Sequence, residues 1–299
     1  MTLSLHHIPF QAMGSPCEVQ LFSDDKQHAQ AIADLAIADV RRIEARYSRY
    51  REDSVLSEIN RVAAQGGVIA TDEETAALLN YADTCYQQSN GLFDITSGVL
   101  RQAWDFKAQT LPKKAVIKQL LTVVGWKKVR LTPTQIGFKR PGMQLDFGGI
   151  AKEYAADRAA AICYQQGMRH GLVNLGGDIK IIGPHPDGQP WLVGISHPRN
   201  PQAILANLEV YAGAIASSGD YERCMIVNGK RYSHVLNPKT GWPVNGLIGV
   251  SVIAEQCVIA GSACTIAMLM ECRGQEWLGD LGLQHIWMDK DGKVGGKLS

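Results

Sequence analysis

Two stretches of the sequence decide the fold: LDFGGIAKEYAADRAAAICYQQ at residues 145–166 and LVNLGGDIKII at residues 172–182. In the first, a double glycine is followed by small and apolar residues at three- and four-residue spacing, which predicts a helix over residues 151–166. The second opens a region that is typical of strands. This change from helix to strand within one chain indicates an α+β architecture, with helices packed on mainly antiparallel sheets.

Further elements are predicted on both sides of this region. Upstream, we expect a strand over 17–22, a helix over 27–47, and a second helix from a capping box at Thr71 through Tyr86. Downstream, the predicted strands lie in 191–196, 204–211, 224–236 (a hairpin around Asn-Gly) and 248–254, and a helix returns over 261–270. Since no repeat or linker interrupts the chain, we expect a single domain over residues 1–299.

Composition excludes several classes of protein. The chain has 299 residues, of which 45% are hydrophobic and 20% are charged, as in globular proteins and unlike disordered chains or coiled coils. Its 30 basic and 29 acidic residues leave a net charge of +1. Because no strong basic field results, we expect no nucleic-acid partner and no binding to anionic membranes.

The cysteines and the first residues bear on the compartment. Seven scattered cysteines form no CxxC pair, which argues against a zinc or thioredoxin-like site and favours free thiols in a reducing environment. The opening MTLSLHHIPFQAMGS lacks the pattern of a secretory leader, and no run of 18 apolar residues is present. We therefore expect a cytoplasmic protein without a membrane span. A periplasmic mature form that has lost its leader is the alternative.

The motif search first narrows the chemistry. The chain contains no GxxxxGK[ST], GxGxxG, HExxH or GxSxG sequence, which disfavours ordinary P-loop, Rossmann, zincin and α/β-hydrolase interpretations. Four other clusters combine glycine with polar side chains: residues 91–96, 146–152, 174–178 and 217–221. One such cluster is most simply a tight turn, but backbone amides beside glycine can also bind anions. Four of them in one chain favour a phosphate-rich ligand.

A fifth cluster, YSHVLNPKTGWP at residues 232–243, contains a histidine at a predicted strand end. His234 is a candidate acid, base or phosphate contact near neutral pH. The alternative is a structural histidine that is hydrogen-bonded at the end of the strand.

The clusters, in this order, resemble the FAD:protein FMN transferase family, also called the ApbE family. The resemblance runs from residue 13 to about residue 270. The matching segments are MGSP at 13–16, YSRYREDS at 47–54 with Leu56 and Asn60, GLFDIT at 91–96, LDFGGIAK at 145–152, NLGGD at 174–178, SGDY at 218–221, and 234–243. The resemblance implies an ApbE-like fold with a T-fold-like core. It also implies a transferase that moves FMN from FAD to a threonine of a target flavoprotein, with Mg2+ as cofactor and AMP as leaving group.

The resemblance also implies roles for individual residues. For FAD binding these are Met13, Tyr50, Leu92, Phe93, Asp94, Gly148, Lys152, Tyr154 and Val235. His234 would lie near the transferred phosphoryl group, and the catalytic base would be His234 or a carboxylate such as Asp94 or Asp178. The family's metal ligands are a main-chain oxygen, here at Ala151, and an Asp and a Thr four residues apart on a helix.

Two positions depart from the family pattern. Thr265 matches the metal-binding threonine, but Gly261 stands where the family has its aspartate, and Asn237 stands where an Asp usually precedes proline. Because Mg2+ prefers a carboxylate ligand, the sequence predicts a weakened Mg2+ site. Glu255 or the Ser262 hydroxyl is a candidate substitute. If neither compensates, Gly261→Asp should strengthen the site at little cost to the helix.

Three functions follow from this pattern. The first is FMN transfer to a threonine of a partner flavoprotein. The second is FAD binding without transferase activity, and the third is an FAD pyrophosphatase in which water replaces the threonine. The metal site distinguishes them, because an intact aspartate at position 261 would favour the transferase.

Overall fold

An eight-stranded antiparallel sheet forms the centre of the structure, a computed structural model that describes residues 2–298. Its strands follow the order β1-β2-β6-β7-β10-β13-β14-β15. Their bounds are β1 Ser4–Ala12, β2 Ser15–Ser23, β6 Gly171–Leu175, β7 Asp178–Gly183, β10 Ala214–Gly219, β13 Leu247–Ala254, β14 Gln284–Asp289 and β15 Val294–Lys297. The double glycine at 176–177 therefore turns the chain between two neighbouring strands of this sheet.

Three helices cover one face of the sheet. They are α1 Lys26–Tyr47, α5 Ala151–Gln165 and α6 Cys257–Met270. Helix α1 packs on β1 and β2, α5 on β6 and β7, and α6 on β10 and β13, while α5 contacts both α1 and α6. The α+β architecture with antiparallel sheets, predicted from the sequence, is confirmed.

A long hairpin covers the opposite face. It consists of β8 Trp191–His197 and β9 Asn200–Val210. Alternate residues of the sheet strands serve the two faces: in β6, Leu172 packs with the hairpin, whereas Val173 packs under the helices. This alternation is what a strand with both faces covered requires, and it makes β6 and β7 rigid supports for the turn between them.

A second group of elements lies beside the helical layer. It contains a three-stranded sheet of β3 Gly67–Ala70, β4 Val129–Thr132 and β5 Gln135–Phe138, and a hairpin of β11 Cys224–Val227 and β12 Lys230–Ser233. Its α-helices are α2 Val55–Gln65, α3 Glu73–Gln88, α4 Lys114–Leu121 and α7 Arg273–Asp280. Its two 3-10 helices are Ile95–Gln102 and Trp126–Lys128. The Asn60 amide of α2 donates to the Leu145 carbonyl at 3.0 Å and accepts from the Leu145 amide at 2.7 Å. This pair of bonds fixes the start of the Leu145–Lys152 segment.

Most predicted elements are present with shifted ends. Helix α3 is capped by Asp72 rather than by Thr71, because the Asp72 side chain accepts from the Thr75 amide at 2.8 Å. The region 172–182 is a hairpin rather than one strand. The cluster at 217–221 contains the end of β10, so part of it is strand and not a loop.

The structure describes the state of the cysteines and the character of the helices. All seven cysteines are free thiols, and Cys272 is the exposed one. Across residues 2–298, no helix combines the length and the apolar character needed to cross a membrane.

Candidate active site

Three separate parts of the chain meet at the amino-terminal end of α5. The β6–β7 turn brings Gly176, with φ of +62°, against Ser15 of β2 and Lys152 of α5. A Cβ built on Gly176 would lie 2.7 Å from the Ser15 Cβ and 3.9 Å from the Lys152 Nζ. A side chain at 176 would therefore clash, and glycine at this position allows the turn to approach the lysine.

Lys152 forms a nearly buried ion pair with Asp178. The Lys152 Nζ lies 2.8 Å from the Asp178 Oδ2, and the Asp178 side chain is 3% exposed. Burial alone would lower the pKa of Lys152, but the negative charges of Asp178 and Glu153 outweigh it, and the pKa is raised. Lys152 is therefore a fixed positive charge at neutral pH.

Three arginines add to the positive charge of this region. Arg49 and Arg101 both contact Asp146, at 3.2 and 3.0 Å, and the Arg223 carbonyl accepts a hydrogen bond from the His234 amide at 2.9 Å. A single carboxylate shared by two guanidinium groups leaves excess positive charge. Such a region suits a ligand with several phosphate charges.

His234 lies among these cations. Burial, together with the positive charges of Arg101, Arg223 and Lys152, lowers its pKa to about 4. The ring is therefore neutral at pH 7. Its Nδ1 atom is buried and has no hydrogen-bond partner within residues 2–298. A neutral imidazole with an unpartnered nitrogen beside a cationic region can accept a proton from a hydroxyl nucleophile.

We predict that the low pKa of His234 makes the folded state sensitive to acid. The folded pKa of about 4 lies below the ordinary value of 6.5, so the unfolded chain binds this proton first and stability falls as pH drops from about 6.5 towards 4. Between pH 7.5 and pH 5, the wild type should lose about 2 kcal/mol more free energy of unfolding than His234→Gln. Urea unfolding of both proteins at the two pH values measures this. Equal losses in the two proteins would show that His234 is not buried as a neutral ring.

Both carboxylate oxygens of Asp94, a candidate catalytic base, accept hydrogen bonds from neighbouring segments. Its Oδ1 accepts from the Thr96 amide at 2.9 Å and from the Thr96 hydroxyl at 2.6 Å, and its Oδ2 accepts from the Trp126 amide at 2.9 Å. Burial raises the pKa of Asp94, and these hydrogen bonds oppose the rise. Both oxygens thus hold the Leu92–Thr96 segment against the 3-10 helix at Trp126. The catalytic role of Asp94 stays a prediction.

We expect Asp94→Ala to lower the free energy of unfolding by about 2–4 kcal/mol, because buried amides at residues 96 and 126 lose their acceptor. Chemical denaturation measures the loss. Asp105→Ala is the matched control, since Asp105 accepts a single amide bond on the surface, from Lys107 at 2.9 Å. Unchanged stability with lost FMN transfer would contradict this structural role and support the catalytic one.

The residues expected to bind the flavin divide into two groups. Met13, at the tip of the β1–β2 hairpin with φ of 53°, and Tyr50, which is 77% exposed, are available at the surface. The Tyr50 hydroxyl accepts from Arg49 at 2.5 Å and so joins the cationic region. Leu92 and Phe93 are buried, and Phe93 packs against Gly149, where a Cβ would lie 3.3 Å from the ring.

Three other expected FAD contacts are placed as follows. Gly148 is exposed, and its amide donates to the Asp146 Oδ1 at 2.8 Å. The Val235 carbonyl accepts from the Val244 amide at 3.0 Å. The Tyr154 hydroxyl donates to the Glu74 Oε1 of α3 at 3.0 Å, so its polar group is already engaged with another helix.

Asn237 stabilises the turn that follows His234. Its Oδ1 accepts from the amides of Lys239 and Thr240, at 2.8 and 3.3 Å. An amide oxygen and a carboxylate oxygen serve this turn equally, because both are acceptors. The change to asparagine therefore leaves the turn after His234 intact.

The expected metal ligands converge only in part. Thr265 lies on α6, and its Cγ2 would be 3.9 Å from a Cβ on Gly149, two residues before Ala151. Within residues 2–298, no three His, Cys, Asp or Glu side chains are arranged to hold a metal ion. A cation here would therefore need backbone and hydroxyl oxygens beside a carboxylate. One buried carboxylate oxygen, the Glu153 Oε2, has no partner among these residues, so the donor set fits a cation.

Gly261 of α6 lies against the Glu153 side chain of α5. A Cβ built on Gly261 would lie 2.5 Å from the Cγ and 2.8 Å from the Oε1 of Glu153, so Glu153 already fills the space of the missing side chain. Gly261→Asp alone should therefore destabilise the protein by about 1–3 kcal/mol through overpacking, and the expectation of a small cost is wrong.

Of the two candidate substitutes for the missing aspartate, Ser262 is hydrogen-bonded and Glu255 is exposed. The Ser262 hydroxyl donates to the Ile259 carbonyl at 3.1 Å and lies 2.7 Å from the Tyr81 hydroxyl. Glu255 is exposed. A role for either side chain at the metal site stays a prediction.

Sequence reasoning missed four residues of the site: Glu153, Arg49, Arg101 and Arg223. Arg49 belongs to a matched motif, but the motif alone does not indicate a role for its charge. Glu153 carried a signal, because it begins a buried stripe with Ala156, Ala160 and Cys163 on α5, and a carboxylate on such a stripe is unusual. Arg101 and Arg223 lie outside the quoted motifs, and only the folded chain brings them to His234.

Comparison with known proteins identifies related chains. The ApbE family model matches residues 13–287. An FAD:protein FMN transferase of Chlamydia pneumoniae is 33% identical over 247 residues, which cover 79% of this chain and 76% of that protein. One from Klebsiella pneumoniae is 31% identical over 248 residues, covering 81% and 75%.

Solved structures agree over nearly the whole chain. The crystal structure of the ApbE protein from Thermotoga maritima superposes with a TM-score of 0.89 at 30% identity and covers 98% of this chain and 97% of its own. The apo form of the flavinyl transferase ApbE from Pseudomonas stutzeri gives 0.88 at 25% identity, covering 99% and 96%. From the shared motifs, the family match and these relatives, we conclude that the chain belongs to the ApbE family.

Proposed function

We propose that this chain is an FAD:protein FMN transferase, which moves FMN from FAD to a threonine of a target flavoprotein and releases AMP. The observation that carries the proposal is the neutral His234 ring, with its unpartnered buried nitrogen, held among Lys152, Arg101 and Arg223. The relatives named above bear the same activity in their names. The whole chain would act as one domain, since the family match spans most of it.

The cationic region would bind the pyrophosphate of FAD. Lys152 is held by Asp178, and Arg49 and Arg101 by Asp146, so these charges are oriented before the ligand arrives. Fixed charges cost little reorganisation when negative charge develops on the phosphoryl group. Met13 and Tyr50, at the surface beside this region, would contact the flavin.

The reaction requires one proton to be removed. The hydroxyl oxygen of the acceptor threonine attacks the phosphorus on the FMN side of the pyrophosphate, and its proton passes to His234. The bond between that phosphorus and the bridging oxygen breaks, and AMP leaves with the electron pair. FMN is then joined to the threonine through a phosphoester. Positioning of the hydroxyl and charge stabilisation are the main contributions of the protein.

The donor set described above fits a divalent cation such as Mg2+, with Ala151 and Thr265 as the residues expected to hold it. When bound, Mg2+ neutralises negative charge on the pyrophosphate. The seven free thiols favour a cytoplasmic location over the periplasmic alternative.

A gel assay tests the proposal. The protein is incubated with FAD, Mg2+ and an acceptor domain that carries a threonine, and the products are separated on a denaturing gel. Flavin fluorescence should remain with the acceptor and be absent when its threonine is replaced by alanine. FAD binding with no fluorescent acceptor would favour the non-catalytic alternative. Free FMN and AMP without labelled acceptor would favour the pyrophosphatase.

A further inference from the structure

The Glu153 carboxylate of α5 fills the space beside Gly261 of α6, which has no side chain. Gly261 has no Cβ, and the Glu153 side chain occupies the space that a residue at 261 would fill, with its Cγ 2.5 Å and its Oε1 2.8 Å from the ideal Cβ position. Glycine at 261 and glutamate at 153 are therefore coupled by packing. Any larger residue at 261 would require Glu153 to move.

The position of this carboxylate relative to α6 matters. Gly261 and Thr265 are four residues apart, so they lie one turn apart on the same face of the helix. Gly149, which precedes the start of α5, lies against Thr265. The Glu153 carboxylate thus reaches the face of α6 that also carries the Thr265 hydroxyl, beside the segment that leads to Ala151.

One oxygen of this carboxylate is buried without a partner among the described residues. Glu153 is only 7% exposed, and its Oε2 has no hydrogen-bond partner within residues 2–298. A buried carboxylate oxygen without a partner costs free energy, and a cation bound beside it would offset that cost.

We propose that Glu153 supplies the carboxylate ligand of the divalent cation, in place of a side chain at position 261. The carboxylate is then carried by α5 instead of α6, but it lies in the same space beside Thr265. This inference rests on the proposed function, since it is the transfer of FMN from FAD that calls for the cation. The departure at Gly261 is then a relocation of the ligand and not a loss of the site.

Cation binding without FAD tests the proposal directly. Isothermal calorimetry with Mg2+, and electron paramagnetic resonance with Mn2+, are carried out on the wild type and on Glu153→Gln, which keeps the size of the side chain. Since even residues that only support a ligand change metal affinity by about 10–100-fold, loss of a direct ligand should weaken cation binding by at least about tenfold. Asp157→Asn is the matched control. Asp157 lies one turn further on α5 and accepts from the Cys257 and Val258 amides at 2.8 and 3.0 Å.

A double variant checks the coupling of the two positions. Glu153→Gly combined with Gly261→Asp moves the carboxylate to α6 and removes the clash. It should bind Mg2+ with nearly wild-type affinity, and it decides the matter alone if Glu153→Gln does not fold. A folded double variant that binds no Mg2+ would then overturn the proposal.

A failure of the Glu153 proposal and a failure of the proposed transferase function would give different experimental results. Weaker cation binding in Glu153→Gln, with Asp157→Asn like the wild type, supports Glu153 as a ligand. Equal cation affinity in the wild type and Glu153→Gln, or no cation binding by the wild type, overturns it. Failure of the proposed function would instead appear as the absence of FMN transfer by the wild type, which is measured separately with FAD and an acceptor.

Discussion

Replacing His234 with glutamine should slow FMN transfer by about 10²–10⁴-fold, the usual contribution of a general base. The glutamine side chain keeps a polar group of similar size but cannot accept the proton of the threonine hydroxyl. The affinity for FAD should change little, because the neutral ring contributes no charge to pyrophosphate binding. Transfer rates under single-turnover conditions and FAD calorimetry measure the two effects.

A surface histidine provides the control for this variant. His28 is exposed on α1, and His28→Gln should transfer FMN at the wild-type rate. A His234→Gln variant that retains full transfer activity would show that another group removes the proton. Asp178 is then the next candidate, because it lies beside Lys152 in the same region.

The largest loss of stability should follow from Lys152→Met. The methionine leaves the Asp178 carboxylate buried without its partner, and breaking such a pair on one side costs about 3–5 kcal/mol. FAD affinity should also fall, since a fixed positive charge at the proposed pyrophosphate site is lost. Chemical denaturation and FAD calorimetry measure the two losses.

Two comparisons separate charge burial from other effects of Lys152→Met. Combining it with Asp178→Asn removes the uncompensated charge and should recover part of the stability. Lys180→Met is the matched control, because the Lys180 ammonium donates to the Glu255 carbonyl at the surface, and it should change stability by no more than about 0.5 kcal/mol. If Lys152→Met were as stable as Lys180→Met, the Lys152–Asp178 ion pair would not contribute to the free energy of unfolding.

Local sequence patterns predicted those parts of the molecule that depend on neighbouring residues. The helix over 151–166 and the hairpin around Asn-Gly are such parts, since spacing and turn residues determine them. The resemblance to the ApbE family implied that Lys152, Asp178 and His234 share one site, and the structure brings Lys152 to Asp178.

Contacts between distant segments could not be predicted from these patterns. The sequence shows a missing aspartate at 261, but only the packing of α5 on α6 reveals that Glu153 fills the gap. Helix α6 is buried on nearly all sides, so its residues give no periodic signal for which face meets α5. Asp94 likewise matched a motif, and only the fold shows that both of its oxygens are used by Thr96 and Trp126.

The most direct test of the account measures all products of one reaction together. The protein is mixed with FAD, Mg2+ and a threonine-bearing acceptor domain, and mass spectrometry of the intact acceptor is combined with quantification of free AMP and free FMN. FMN transfer predicts one AMP for each FMN bound to the acceptor, with little free FMN. Release of AMP with an equal amount of free FMN and an unmodified acceptor, or no AMP at all, would contradict the proposed transferase activity.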